Sequence, residues 1–228
     1  VSHGKSWQLL SAPTFGQTVK AAWQEGAVGV ASNPKPGYGT TMTSNVAGAL
    51  AAGFDFATPS GSTIKTYNDA TNAYDGIPNT TSFPIANPKG YMLFVRGDRS
   101  VTAYNAAANT TILRTTGKIY SPGADAPPSS TVLAGKFQSI GNPYASAIDF
   151  VSLLSTSTGL NTVYYVWDPL LPSYNGYGAY QTISSASGWK PVPGGTANYN
   201  AALVYSKIQS GQAFFVFSTA GGTVNFSE

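Results

Sequence analysis

The segment Trp7–Pro13 reads WQLLSAP, and a related segment at Phe137–Pro143 reads FQSIGNP. Each begins with an aromatic residue and a glutamine, continues through apolar residues and ends at a proline. Each precedes a stretch whose apolar residues recur at helical spacing, Thr18–Gly26 and Ser146–Ser155. The repetition predicts one unit used twice, a strand followed by a short helix, with the two initial aromatic residues at equivalent positions.

A second pair of related blocks follows the two predicted helices. Tyr67 and Tyr74 are seven residues apart, as are Trp167 and Tyr174, and each pair encloses a turn that contains an aspartate. Aromatic residues on both sides of such a turn are typical of a β-hairpin. We therefore expect an aromatic hairpin in each half, with Tyr67 and Trp167 at equivalent positions.

The third pair consists of two segments that are apolar almost throughout, Gly90–Val95 and Gly211–Val216. Strands of this kind are usually covered on both faces. This alignment makes Phe94 equivalent to Phe215. Three related blocks in the same order predict an all-β, sandwich-like domain of two related halves, an internal duplication, with two short helices.

Short segments rich in β-branched and aromatic residues alternate with turn-forming residues along most of the chain. The predicted strands are Trp7–Leu10, Ile64–Tyr67, Tyr91–Arg96, Thr111–Arg114, Lys136–Ile140, Thr162–Trp167, Ala179–Ile183, Ala213–Ser218 and Thr223–Phe226. The stretch 121–130 carries four prolines or glycines in two pairs and is typical of a linker. We therefore place a first half at residues 1–120 and a second half at residues 131–228, within one module.

The composition excludes several classes of protein. Charged residues make up 9% of the 228 residues, whereas hydrophobic residues make up 42%, a balance opposite to that of a disordered chain. The net charge of +3 is spread out, without the basic patch that nucleic acids require. No apolar run reaches the roughly 20 residues that span a bilayer. The chain has no cysteine, so disulfides and thiolate metal sites are impossible. We expect neither nucleic-acid binding nor membrane insertion.

Residues suited to catalysis are few. The one histidine, His3, lies beside the start of the chain, which makes a serine–histidine–aspartate arrangement improbable. Asp149 and Asp168 are the best candidates for the two facing carboxylates of a glycosidase. However, Asp149 sits near a predicted helix start, and Asp168 begins an Asp-Pro turn. We therefore expect no catalytic residues, no cofactor and no metal site.

Two short motifs have both a functional and a structural interpretation. The segment Asn68–Asn72 is a weak match to a calcium-binding loop, but a hairpin turn explains it better. Residues 96–98 form an Arg-Gly-Asp tripeptide, which serves as a cell-attachment signal in some matrix proteins. Because it follows a strand that we expect to be buried, a turn at the strand end is the better interpretation.

Carbohydrate binding is the main alternative to a purely structural role. Aromatic rings stack on sugar faces while nearby amides and hydroxyls bind the sugar hydroxyl groups. The richest such stretch contains Tyr174, Tyr177 and Tyr180, with Trp189 close by in sequence. A glycine-rich hairpin with paired tyrosines would explain the same stretch. If the site exists, the four aromatic residues should be exposed on one shallow face.

Seven segments form a further pattern that covers nearly the whole chain: Trp7–Pro13, Ala22–Gly26, Pro36–Thr40, Gly90–Arg99, Leu113–Gly117, Ile140–Ser146 and Ile208–Val216. The most specific part is the Gly-Asn-Pro-Tyr-Ala-Ser run followed by Ile-Asp. Together these segments resemble a module of large secreted surface proteins of the Bacteroidota, which usually precedes a type IX secretion sorting domain.

The resemblance implies export, attachment at the cell surface and a structural or adhesive role. It supplies no catalytic residues. The expected partners are neighbouring domains of the same polypeptide, other copies of the chain, and glycans. Ala213–Ser218 and Thr223–Phe226 carry no charges, so they could accept a strand from another copy unless they are paired within the domain.

Overall fold

The computed structural model describes residues 4–121, 124–173 and 177–227. In chain order the strands and helices are β1 (Ser6–Leu10), α1 (Val19–Trp23), β2 (Thr43–Ser44), β3 (Phe56–Ala57), β4 (Ile64–Asn68), β5 (Ala73–Gly76), β6 (Tyr91–Val95), β7 (Ser129–Val132), β8 (Lys136–Gly141), β9 (Ile148–Asp149), α2 (Phe150–Thr156), β10 (Val163–Asp168), β11 (Ala179–Ser184), β12 (Pro191–Val192), β13 (Lys207–Ile208), β14 (Ala213–Ser218) and β15 (Gly222–Asn225). The predicted all-β class with two short helices is confirmed.

Two antiparallel sheets form the body of the molecule. The first has the order β1-β6-β4-β5, and the second has the order β12-β11-β10-β14-β8. The two sheets face each other across a mostly aromatic layer, which we call the inter-sheet layer. Its members are Trp7, Leu9, Tyr67, Tyr74, Met92, Phe137, Tyr165, Trp167, Tyr180, Ala213 and Phe215. The arrangement is sandwich-like.

Each sheet packs its other face against its own helix. Alternation along β6 turns Met92 toward the inter-sheet layer and places Tyr91 and Leu93 in a core with Trp23 of α1. In the second sheet, Phe214 lies in a separate core with Phe150 of α2. β6 and β14 are therefore covered on both faces, which explains why each strand is apolar almost throughout.

Capping side chains set the starts of both helices. The Thr18 hydroxyl accepts a hydrogen bond from the Ala21 N–H at 3.3 Å, and the Asp149 carboxylate accepts one from the Ser152 N–H at 3.3 Å. Such caps satisfy backbone donors that have no partner within the helix. α2 thus begins after Asp149, several residues later than predicted at Ser146.

The two sheets share a strand order along the chain. β1, β6, β4 and β5 occupy the same relative positions as β8, β14, β10 and β11, and a helix follows the first strand in each half. This shared order supports the proposed internal duplication. β12 has no counterpart in the first sheet.

The ladders correct one of the expected equivalences. Trp7 pairs with Phe94, and Phe137 pairs with Phe217. If Trp7 is equivalent to Phe137, then Phe94 is equivalent to Phe217, so the predicted match with Phe215 is wrong by two residues. An uninterrupted apolar strand carries no marker of its register, which is why the sequence alignment slipped.

A second pair of ladders leads to the same correction. Ile64 pairs with Leu93, and Tyr164 pairs with Val216. Setting Ile64 equivalent to Tyr164 makes Leu93 equivalent to Val216, the same shift as before. All four side chains are buried, so equivalent positions also share an environment.

The hairpin equivalence also changes. Tyr67 pairs with Tyr74, and Trp167 pairs with Tyr180. Tyr180 therefore takes the position that we expected for Tyr174, which lies outside the described residues. The loop between β10 and β11 is longer than the turn between β4 and β5, so equal spacing in the sequence was misleading.

Two reciprocal contacts join the halves. The Ser11 N–H donates to the Gly211 carbonyl at 2.9 Å, and the Gly141 N–H donates to the Pro88 carbonyl at 3.0 Å. Single bridges, Leu10 with Gln212 and Lys89 with Ile140, flank these bonds. The strand pairings that make Trp7 equivalent to Phe137 and Phe94 equivalent to Phe217 also match Ser11 with Gly141 and Pro88 with Gly211. Under these ladder equivalences, each contact is the counterpart of the other.

One predicted strand is not formed, and the end of the predicted linker and both apolar strands near the end of the chain are paired. The predicted strand at Thr111–Arg114 is absent among the described elements, because this segment makes only one bridge, between Tyr38 and Ile112. The predicted linker ends inside β7, which pairs with β15.

β14 is paired on both sides, and Thr158 bridges the outer side of β15 at Thr223. Neither strand offers the free edge that strand exchange requires.

Candidate functional site around Trp167

Trp167 connects the two sheets at the edge of β1. Its indole Nε1 donates to the Trp7 carbonyl oxygen at 2.8 Å, so a group at the outer edge of β1 is satisfied by a side chain instead of a strand. The ring also makes an edge contact with Tyr180, with 5.1 Å between ring centres. Two cavities lie against Trp167, and it contributes to the wall of both.

The first cavity, the charged cleft, has a volume of about 400 Å³. The residues around it are Trp7, Lys65, Tyr74, Met92, Trp167, Ser173, Tyr177, Gly178 and Tyr180. The Lys65 ammonium lies 5.0 Å from the centre of the Trp7 ring, within the range of a cation–π contact. No aspartate or glutamate is among the described residues of this wall.

A second aromatic cavity, the neutral cleft, has a volume of about 330 Å³. Its wall contains Tyr67, Asn72, Tyr74, Phe137, Tyr165, Tyr180 and Phe215. Under the ladder equivalences it is the counterpart of the charged cleft. The equivalent pairs are Trp7 and Phe137, Lys65 and Tyr165, Met92 and Phe215, Trp167 and Tyr67, and Tyr180 and Tyr74.

Tyr74 and Tyr180 belong to both clefts. Their hydroxyl oxygens are 2.7 Å apart, so one hydroxyl donates to the other. Burial is the main reason that the pKa of each phenol is raised, and the pair therefore stays neutral across the physiological range. The two tyrosines form a fixed partition between the clefts.

The third cavity, the polar cavity, has a volume of about 520 Å³ and also has Trp167 in its wall. Its wall combines rings with amides and one ammonium group. The polar and aromatic members are Gln8, Tyr164, Trp167, Asn198, Tyr199, Tyr205, Lys207, Gln209, Ser210 and Gln212. Aromatic faces beside amides and hydroxyls are the groups that carbohydrate sites use.

Asp168 holds one wall of the polar cavity in place. Its buried carboxylate accepts hydrogen bonds from the Gln181 amide at 3.1 Å, the Asn198 amide at 2.7 Å and the Thr196 hydroxyl. It also accepts the Leu170 N–H at 3.1 Å, which forms the turn expected after β10. A buried carboxylate with four donors is satisfied and serves to anchor the loop.

Tyr199 is fixed in the polar cavity in a similar way. The Gln212 amide donates to the Tyr199 hydroxyl at 3.0 Å. Burial, together with the nearby charge of Asp168, raises the pKa of Tyr199 to about 12. The phenol is therefore a neutral donor and acceptor at physiological pH.

The structure separates the four aromatic residues that we proposed for sugar binding. Tyr177 is 57% exposed and Tyr180 is half-buried, and both line the charged cleft. Trp189 packs against Phe150 in the outer core of the second sheet, with ring centres 5.8 Å apart. Tyr174 lies outside the described residues. Tyr177 and Tyr180 thus line one cavity, but Tyr180 is half-buried and Trp189 lies in a core, so the expected shallow face with these residues exposed together is not formed.

Trp7, Trp167 and the amides of the polar cavity are candidates that the sequence patterns do not single out. Trp7 and Trp167 belong to the repeated blocks, where an aromatic residue predicts a framework position. The polar cavity is assembled by Asp168, which draws in Asn198 and Thr196 from far along the chain. The available signal for Trp167 was a tryptophan at a repeated position, because its indole N–H can bond to a neighbouring strand.

The other candidate motifs have structural roles. Arg96 and Asp98 are 7% and 3% exposed, so the Arg-Gly-Asp tripeptide is not presented on the surface. Asp98 accepts the Gly37 N–H at 2.6 Å, and Asn68 accepts the Ala70 N–H at 3.1 Å in its hairpin turn. Asp149 caps α2. His3 lies outside the described residues.

Residues 4–121, 124–173 and 177–227 contain no group of three histidine, aspartate or glutamate side chains placed to bind a metal ion. They also contain no helix of the length and apolarity needed to cross a bilayer. No family model, curated protein or solved structure matches the chain.

Proposed function

We propose that the chain is a non-catalytic structural and adhesive module of a large secreted bacterial surface protein. The sequence resemblance to Bacteroidota modules that precede type IX sorting domains supports export and placement at the cell surface. The observation that carries the non-catalytic part is how the carboxylates are used. Catalysis by a carboxylate pair needs two such groups free to face a substrate.

Most carboxylates among the described residues make internal contacts. Glu25 pairs with Arg114 and Lys35, Asp55 pairs with Arg99, and Asp125 pairs with Lys118. Asp98, Asp149 and Asp168 accept hydrogen bonds that hold loops and a helix end. These contacts support a structural role for the six carboxylates.

Carbohydrate binding is the second candidate, and the cavities around Trp167 favour it. The charged cleft is lined by aromatic rings, and the polar cavity is lined by amides and phenols together with the same indole. A sugar chain lying against Trp167 would meet both kinds of surface. The module would then adhere by binding glycans rather than through the buried Arg-Gly-Asp tripeptide.

A glycan array probed with the intact chain tests both candidates. We expect retention on a defined set of polysaccharides without release of shortened products. Tyr177→Ala should abolish retention, because Tyr177 is exposed and contributes a ring to the cleft. Tyr104→Ala is the matched control, since Tyr104 is 78% exposed and lines none of the three cavities. Product release would overturn the non-catalytic proposal, and absence of retention would overturn the glycan candidate.

A further inference from the structure

We infer that the charged cleft binds a saccharide residue that carries an anionic group, a carboxylate or a sulfate. This inference rests on the glycan candidate and specifies its substrate class. It comes from a comparison of two cavities in which five wall residues occupy equivalent ladder positions. Lys65 occupies the position in the charged cleft that Tyr165 occupies in the neutral cleft.

The charge of Lys65 is not neutralised by a neighbour. None of the ion pairs among the described residues involves its ammonium group. Asp75, the nearest acidic residue across the ladder, lies opposite Thr66 and accepts a hydrogen bond from the Asn68 amide at 2.8 Å. Alternation along β4 places Thr66 and Asn68 on the face away from the cleft.

The ammonium group is also held in place. It lies 5.0 Å from the centre of the Trp7 ring, whose face attracts a cation. A lysine at the rim of a cavity would otherwise extend into solvent. Here the charge stays over Trp7, in the wall of the same cavity as the rings of Trp167 and Tyr177.

These groups define the ligand. A ring stacked on Trp167 or Tyr177 can place an attached carboxylate or sulfate against Lys65. No described carboxylate in the wall would repel that group. The neutral cleft offers the same partition and rings of similar size, but its one amide, on Asn72, and its phenols carry no charge. The two clefts should therefore differ in their preference for charge.

The test is a set of calorimetric titrations with three probes. One is a neutral cello-oligosaccharide, the second is the same chain oxidised to uronic acid at its primary hydroxyls, and the third is the same chain sulfated at those positions. The wild-type chain should bind at least one anionic probe about fivefold more tightly than the neutral one, the size expected for one exposed ion pair. The two anionic probes distinguish carboxylate from sulfate.

Variants of Lys65 assign the preference to the cleft. Lys65→Gln should remove the preference, so that the anionic and neutral probes bind with equal affinity, whereas Lys65→Arg should retain it. Lys20→Gln is the control for net charge, because Lys20 is exposed on α1. Thermal unfolding of each variant reports whether it is folded.

Three results would overturn the inference. Equal affinity for all probes would refute the charge preference and leave the glycan candidate standing. A loss in Lys20→Gln as large as that in Lys65→Gln would show that net charge, not the cleft, attracts the anion. Absence of binding to any of the probes, together with no retention on the glycan array, would refute both the inference and the glycan candidate.

Discussion

The hydroxyl oxygens of Tyr74 and Tyr180 lie 2.7 Å apart within the inter-sheet layer. Each residue pairs with an aromatic residue of its own sheet, Tyr67 or Trp167, so the two tyrosines occupy equivalent ladder positions. Each hydroxyl is the other's partner across the sandwich. The two sheets are therefore joined by a polar contact within an aromatic layer.

Removing one of these hydroxyls should lower the free energy of unfolding more than removing both. Tyr74→Phe leaves the Tyr180 hydroxyl without its partner, and we expect the free energy of unfolding to fall by about 1–2 kcal/mol. The double variant with Tyr180→Phe should recover part of that loss, because both groups are then apolar. Urea unfolding of the two single variants and the double variant measures the coupling. Strictly additive losses would show that the hydroxyls do not interact.

Close approach of the two halves should make Gly141 intolerant of a side chain. A Cβ at this position would lie 2.4 Å from the Ser11 Cβ and 2.7 Å from the Lys89 carbonyl oxygen. Gly141→Ala should therefore lower the free energy of unfolding by about 1–3 kcal/mol through overpacking. Gly4→Ala is the control, since a Cβ there meets nothing within 4 Å. A Gly141→Ala chain as stable as the control would show that the junction can open without cost.

Asp98 should make stability depend on pH in the acid range. Burial opposes ionisation of this carboxyl group, but donors at Gly37, Ser100 and Asn109 outweigh it and lower the pKa to about 2. A pKa below the unfolded value of roughly 4 stabilises the fold above pH ~4, and this contribution is lost as the pH falls toward 2.

The variant Asp98→Asn tests this pH dependence. At neutral pH it should lower the free energy of unfolding by roughly 2 kcal/mol, and the difference from wild type should vanish near pH 2. Asp75→Asn is the control, because Asp75 is exposed. Chemical unfolding at several pH values gives both curves. A difference that stays constant down to pH 2 would mean that the charge of Asp98 is not the source.

Asp168 should control the order of the polar cavity. Asparagine in its place has one acceptor oxygen and an amide that faces donors, so the bonds from Asn198 and Thr196 cannot all survive. We expect faster amide exchange in residues 196–200 of Asp168→Asn, together with a loss of about 1–3 kcal/mol. Hydrogen exchange followed by mass spectrometry measures this. Unchanged protection in that segment would contradict the anchoring role.

The sequence predicted well the features that repeat along the chain. Aromatic and apolar blocks indicated the strands, and helical spacing indicated α1 and α2, because these patterns depend on local burial. The sequence was a weaker guide to strand register. A shift of the apolar run of β14 by two residues keeps the same side chains on each face of the sheet, so the pattern does not distinguish the two registers. The slipped match of Phe94 with Phe215 followed from that degeneracy.

The candidate site was only partly predictable. Tyr177 and Tyr180 were recognisable as an aromatic cluster. Trp189 is close to them in sequence, but it follows a 3₁₀ turn at Ser185–Ser187 and packs on the outer face of the sheet. Trp167 gains its role through a hydrogen bond to Trp7, and contacts between residues so distant in sequence are set by the docking of the two sheets.

Nuclear magnetic resonance of the four indole N–H groups tests the glycan site most directly. The chain has four tryptophans, two of which line the charged cleft, Trp7 and Trp167, whereas Trp23 and Trp189 pack in outer cores. Titration with an oligosaccharide retained on the array should shift the Trp7 and Trp167 signals in a saturable manner and leave those of Trp23 and Trp189 in place. Binding that shifts Trp189 alone, or leaves all four signals unchanged, would contradict the site around Trp167.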